Sequence, residues 1–155
     1  MYYIQGEEFF KAKGFMYLAE QEARKASCLR SKCGSVIVKD KVIIGRGYNS
    51  PPLDQILERC WKDDLPTNFK SDKTCCIHAE QRAIMDVLVG NAEKMKNSRI
   101  YFIRLDLENK IIYANEPYCT ICSKMALDVG IKEFVLWHEQ GIAIYDTYEY
   151  KYVHS

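Results

Sequence analysis

His78-Ala79-Glu80, answered further along by Cys119-Thr120-Ile121-Cys122, gives this chain an imidazole, two thiols and a carboxylate at spacings that could do chemistry. Imidazole and thiolate are zinc donors, and a structural zinc takes four protein ligands while a catalytic one takes three and keeps an open position. The two motifs supply three, with Glu80 left over. By the 3.6-residue period Glu80 stands about 200° around a helix from His78, which disfavours both as ligands of one ion and leaves the carboxylate to move protons. Cysteines at i and i+3 share a helix face. In a first turn they also meet unpaired backbone N–H groups and the positive end of the dipole, and both favour the thiolate. Such a site suits hydrolysis, because zinc lowers the pKa of bound water from about 15.7 to about 7.

Blander readings of the same residues stay open at this point. Cys-x-x-Cys is also the spacing of a redox pair, although such a pair needs no His-x-Glu. A purely structural zinc, completed by Cys75 or Cys76, would leave Glu80 idle.

The elements that must position these residues follow from periodicity. Phe9, Ala12, Met16, Ala19 and Ala23 recur at helical spacing, which predicts an amphipathic helix over 7–26. Ser35-Val36-Ile37-Val38 and Val42-Ile43-Ile44, joined by Lys39-Asp40-Lys41, predict an antiparallel hairpin that Gly45 and Gly47 should end. From Ser50 to Thr74, with Pro51-Pro52 and Pro66, no period is sustained, and long irregular stretches in compact domains are usually functional. A helix should start close to His78 and stop near Gly90-Asn91. Residues 99–105 read as a strand, 119–129 as a helix ended by Gly130, and 133–137 as another strand, an α/β order. The tyrosine-dense stretch from Tyr145 to Tyr152 fits either a last strand or a partner surface, with ordinary packing the expectation.

A chain of 155 residues is the size of one domain, and a single domain over 1–155 is expected. No window approaches a membrane span, and the N-terminus lacks the basic start and apolar run of a secretory signal, so no membrane partner and a cytoplasmic location are the expectations. Seven cysteines, an odd number, are then thiols or metal ligands more readily than a disulfide framework. Cys28, Cys33, Cys60, Cys75 and Cys76 read as small buried hydrophobes, and His138 and His154 as solvated. A net charge of +1 offers no field for a polyanion, so nucleic acid is not favoured as a partner, although Arg24, Lys25, Arg30 and Lys32 form a basic cluster that could meet a phosphate.

His-x-Glu followed by Pro-Cys-x-x-Cys is an established signature of zinc nucleobase deaminases. Four segments extend the likeness: Ser27 to Asp40, Gly47-Tyr48-Asn49-Ser50-Pro51, His78 to Ile84, and Glu116 to Gly130. On these the chain resembles the cytidine and deoxycytidylate deaminase superfamily, nearest its deoxycytidylate branch. The resemblance implies a three-layer α/β/α sandwich around a mixed sheet of about five strands. It also implies hydrolytic deamination of a cytosine nucleotide like dCMP, with zinc as cofactor and ammonia released after attack at C4. His78, Cys119 and Cys122 would hold the zinc, and Glu80 would be the general acid and base. The Ala79 N–H would meet the pyrimidine carbonyl, Asn49 the sugar and Arg30 a phosphate. Arg82 stands where the deoxycytidylate branch has asparagine and could reach a phosphate. Tyr118 intervenes between Pro117 and Cys119, and Ser50 replaces a common glycine, so regulation by triphosphates is not carried over. A second zinc could use Cys60 with Cys75 or Cys76. A homo-oligomer acting on a small-molecule nucleotide is implied. The alternatives are a deaminase of another nitrogen heterocycle (a purine base, a riboflavin-pathway pyrimidine or a tRNA base) or a silent zinc-binding module, against which Glu80 stands.

Overall fold

The computed structural model describes residues 1–68, 76–114 and 119–148. Helix α1 (Gly6–Arg24) buries Ala12, Met16, Ala19 and Ala23, the stripe expected from periodicity, and stops two residues short of the expected end. Strands β2 (Lys32–Lys39) and β3 (Val42–Tyr48) form the expected hairpin. Its turn residues Asp40 and Lys41 both take positive φ, 49° and 68°, as the right-handed strand twist demands of a two-residue hairpin turn. Helix α2 (Ala79–Gly90) then leads to β4 (Arg99–Leu105), and helix α3 (Thr120–Asp128) to β6 (Glu133–His138) and β7 (Gly141–Asp146).

Among the described residues seven strands make one mixed sheet, against about five expected. The two additional ones, β1 (Tyr2–Tyr3) and β5 (Ile111–Ile112), are two residues each, too short to leave an alternating pattern in sequence. The order is β1-β7-β6-β4-β2-β3, with β5 beside the end of β4. Among the described residues only β4 and β6 pair in parallel, and α3 lies in their crossover. Strand alternation splits the core in two. Val36, Val38, Tyr101, Ile103, Val135, Ile142 and Ile144 pack with α1 on one face. Ile37, Ile100, Phe134 and Ile131 pack with α2 and α3 on the other. The three-layer α/β/α reading stands.

Both helix layers sit unusually close to the sheet because glycine backbone faces them. A Cβ at Gly34 would lie 2.0 Å from the Ala19 carbonyl oxygen, and one at Gly47 would lie 2.3 Å from the Ala79 carbonyl oxygen and 2.5 Å from the Ala83 nitrogen. Gly45 meets α2 likewise, at the Val87 side chain. These contacts correct the expectation that Gly45 and Gly47 end β3. They lie inside the strand, where glycine marks a close approach of another backbone.

Three smaller expectations also change. His138 is buried and bridges Tyr3 Oη (3.0 Å) and Tyr145 Oη (3.1 Å), so it is not solvated. The tyrosine-dense tail begins as β7, while residues 149–155, with His154, lie outside the described residues. The basic cluster is divided among separate partners: Arg24 with Glu20 and Lys25 with Glu22 on the same helix, Arg30 with Asp63 and Lys32 with Asn109 at a distance in sequence. Cys60 is buried as expected, whereas Cys28, Cys33 and Cys76 are only partly covered.

Overpacking at a backbone contact costs about 1–3 kcal/mol, so Gly47→Val should lower the urea unfolding free energy by that order. Gly14 sits in α1 with nothing near its Cβ position, and Gly14→Ala should raise it by about 0.5–1 kcal/mol. Equal effects of the two substitutions in urea titrations would contradict the account of Gly47.

Candidate metal centre

Two helix starts converge on one point. His78 is the N-cap of α2, with extended backbone (φ −72°, ψ 150°), and its N–H donates to Gln81 Oε1 at 3.0 Å, which fixes the start of the helix. Cys119 is the N-cap of α3 and its sulfur accepts the backbone N–H of Cys122 at 3.3 Å, the role serine or aspartate commonly fills. His78 Nδ1 lies 3.2 Å from Cys122 Sγ and 3.3 Å from Cys119 Sγ, and the sulfurs are 3.0 Å apart. Zn–S bonds of ~2.3 Å and Zn–N bonds of ~2.0–2.1 Å in a tetrahedron imply donor separations of roughly 3.5–3.8 Å. The triangle is tighter than that on every edge, most of all between the sulfurs, and its donor chemistry is that of zinc. Among the described residues it is the one group that could hold a metal ion.

The polarity of the site favours thiolate at one corner. The hydrogen bond between the two sulfurs, with the His78 ring and the Cys122 backbone N–H, draws Cys119 down to about 4, against burial. The same bond and burial push Cys122 up, and the bond to Cys119 raises His78. Glu80, 8 % exposed, sits inside the first turn of α2, and burial raises its carboxyl to about 7. A carboxyl poised there can both hold and release a proton near neutral pH. Cys33, on the neighbouring strand, is pushed up to about 12 by burial and by the charge of Glu80, so it lines the site as a neutral thiol. Sequence reading missed that placement; only the alternation of β2, which puts Cys33 on the face of Ile37, could have given it.

Asn49, at the end of β3, is held by two bonds: its Oδ1 accepts the Cys33 N–H at 2.8 Å and its Nδ2 donates to the Ser31 carbonyl at 3.0 Å. Ala79 is buried in the first turn of α2, where backbone N–H groups have no partner within the helix. Arg82 does not point freely outward. Its Nη2 donates to the carbonyls of Ser50 (3.3 Å) and Pro51 (3.0 Å), and its guanidinium lies over the Tyr48 ring, 5.9 Å from the centroid. Arg30 is half-exposed and bonded to Asp63 at 2.5 Å, tying two loops together. Of the second-zinc candidates, Cys75 lies outside the described residues, and Cys60 and Cys76 join no metal-capable group among those described. Pro117 and Tyr118 also lie outside them.

The sequence profile described as "Cytidine and deoxycytidylate deaminase zinc-binding region" matches residues 11–138. The chain belongs to this family. A deoxycytidylate deaminase of Schizosaccharomyces pombe is 28% identical over 128 residues, covering 78% of this chain and 35% of that protein. The chain thus spans about a third of the length of that fungal relative. One from Mycobacterium phage D29 is 29% identical over 129 residues, covering 78% of this chain and 89% of that protein. The crystal structure of dCMP deaminase from the cyanophage S-TIM5 in complex with dCMP and dUMP superposes with a TM-score of 0.59 at 24% identity, covering 84% of this chain and 82% of that one. The family match and the donor triangle agree on zinc. Among the described residues, no helix is long and apolar enough to cross a membrane.

Metal analysis of the purified protein should find one zinc per chain, falling below about a tenth in Cys119→Ala or Cys122→Ala because a three-ligand site has no substitute donor. Two zinc ions per chain in the wild type would instead bring Cys60, Cys75 and Cys76 into play.

Proposed function

We propose that this chain is a zinc-dependent hydrolytic deaminase of a cytosine nucleotide, with deoxycytidylate as the substrate. The observation that carries the reading is Glu80: a buried carboxyl with its pKa raised to about 7, beside a His-Cys-Cys triangle. A redox pair or a structural zinc has no use for it. The relatives named deoxycytidylate deaminase support the substrate.

His78, Cys119 and Cys122 would hold a zinc ion, which would acidify water and so supply a nucleophile near neutral pH for C4 of the pyrimidine. Glu80 removes the proton from the attacking water and delivers it to ring nitrogen N3. It then helps protonate the departing ammonia, so one carboxyl serves first as base and then as acid. The Ala79 N–H, free in the first turn of α2, donates to the pyrimidine carbonyl oxygen. Asn49 orients the sugar: its two backbone bonds leave one lone pair and one N–H of the carboxamide for a ligand. Exclusion of bulk water around Glu80 keeps its proton in the reaction.

The same reading includes a homo-oligomer. Met85, Leu88 and Val89 are exposed on the outward side of α2, apolar surface that a second copy would cover. Light scattering should find more than one chain per particle, and Leu88→Glu should reduce that number; a monomeric wild type removes this part.

Ammonia release should be measured on a panel of nucleobases, nucleosides and mono- and triphosphates. Turnover of dCMP is expected, with Glu80→Gln lowering kcat by about 10²–10⁴-fold while retaining zinc. Zinc at one per chain without deamination of any cytosine nucleotide would overturn the proposal.

A further inference from the structure

The segment that leaves β3 carries a strain with no role yet assigned. Leu53 and Asp54 are consecutive non-glycine residues in left-handed backbone, φ 59° and 56°. Leu53 is 92 % exposed, so no burial of its side chain accounts for this conformation. Such conformations persist only where the surroundings over-determine them. Here the surroundings are specific. Asp54 accepts the Tyr48 hydroxyl at 2.7 Å and also the Ser50 hydroxyl, and those two bonds hold its carboxyl below the usual carboxylate range. From the other side Arg82 Nη2 grips the Ser50 and Pro51 carbonyls and stacks on Tyr48. The Ser50 carbonyl also accepts the Ile77 N–H at 2.8 Å, one residue before the metal ligand His78. Asn49 sits within this strap, between Tyr48 and Ser50.

We propose that Arg82 is a positioning residue: it pins the strap of residues 48–54 to α2 and so fixes Asn49 relative to His78 and Glu80. Its cation holds protein carbonyls and does not bind substrate phosphate. Two features make the assignment physical. Arg82 follows Glu80 by two residues on α2, so its bonds to Ser50 and Pro51 tie the sugar-binding strap to the same helix turn that carries the proton-transfer group. Gly47 lets that turn lie against the β3 backbone, with the Arg82 Cβ only 2.9 Å from where a Gly47 Cβ would be. The strap is therefore clamped at Gly47 by contact, at Ser50 by Ile77 and at Pro51 by Arg82. The consequence is a residue that governs substrate affinity more than the chemical step.

This assignment rests on the deaminase reading, and its test separates the two. Hydrogen exchange by mass spectrometry on zinc-loaded wild type, Arg82→Ala, Arg82→Lys and Asp54→Asn reads the strap without any substrate. In Arg82→Ala the amides of 50–56, including Asp54 N–H to Pro51 and Gln55 N–H to Pro52, should exchange at least about tenfold faster, while the rest of α2 stays protected. Kinetics are followed with dCMP, and with deoxycytidine as substrate or competitive inhibitor. Loss of charge-assisted bonds predicts a KM or inhibition constant raised about 10- to 100-fold for both compounds in Arg82→Ala. The kcat should change by less than about threefold, by the rule that loss of uniform binding moves KM alone. Asp54→Asn should move the same parameters, and Arg82→Lys, which still donates to carbonyls, should restore part of the affinity. Weaker binding of dCMP with deoxycytidine unaffected would overturn the assignment and make Arg82 a phosphate contact. Unchanged exchange over 50–56 in Arg82→Ala, or a lost zinc with kcat falling and KM constant, would overturn it too. If the wild type deaminates nothing, the deaminase reading and the link to substrate fall together, and the exchange result still decides whether Arg82 holds the strap.

Discussion

The site depends on how closely α2 can approach β3. With side chains at 45 and 47 the helix would stand off the sheet. With glycines there, and Ala79 and Ala83 on the facing side of α2, backbone lies on backbone. That contact sets the height of the α2 N-terminus over the sheet, and His78, Ala79 and Glu80 are all at that terminus. The second half of the site arrives by a different route. The parallel pair β4–β6 needs a crossover, and α3 within it begins at Cys119, so its N-terminus faces that of α2. Two capping positions, which in most helices carry small polar side chains, here carry a histidine and a cysteine, and with Cys122 in the first turn of α3 they make a donor triangle.

Charge explains why Glu80 can be buried there. A carboxylate beside an uncompensated dication would be held strongly ionised, and one beside like charge would be held protonated. Two thiolates and a neutral imidazole would cancel a bound divalent zinc, so the loaded site would present Glu80 with little net charge. Burial pushes the carboxyl up, to about 7 before any metal charge is added, toward the range in which a carboxyl can both accept and release a proton. Cys33 contributes by remaining a neutral thiol: a charge at that position would disturb this balance.

The site was legible in the sequence where chemistry demands particular residue types at particular spacings. His78, Glu80, Cys119 and Cys122 could be read before any fold was known, as could the α1 stripe and the β2–β3 hairpin, because periods of 3.6 and 2 survive in sequence. The two-residue strands β1 and β5 were not legible, since two residues carry no period. Gly45 and Gly47 were misread as strand terminators, because glycine signals both a turn and a close approach and only the partner helix tells them apart. His138 looked isolated because its partners Tyr3 and Tyr145 come from other strands, and pairing across a sheet leaves no local mark. Arg82 showed as a departure from the family pattern, but its bonds to carbonyls of a distant loop had no signal in its own neighbourhood.

The strap at 48–54 contains no glycine although Leu53 and Asp54 both take left-handed φ. Glycine at 53 or 54 would remove the steric cost of left-handed φ, roughly 1–2 kcal/mol per residue. It would also widen the ensemble of the open strap and leave no side chain to close it. Asp54 resolves this by being both the strained residue and the acceptor for Tyr48 and Ser50. Its conformation is thereby made conditional on those bonds, so intermediate arrangements gain neither the relaxed backbone nor the full set of contacts. For Asn49, the sugar contact in the proposed reading, a strap closed by those bonds holds a narrower range of positions than a flexible turn with the same average shape.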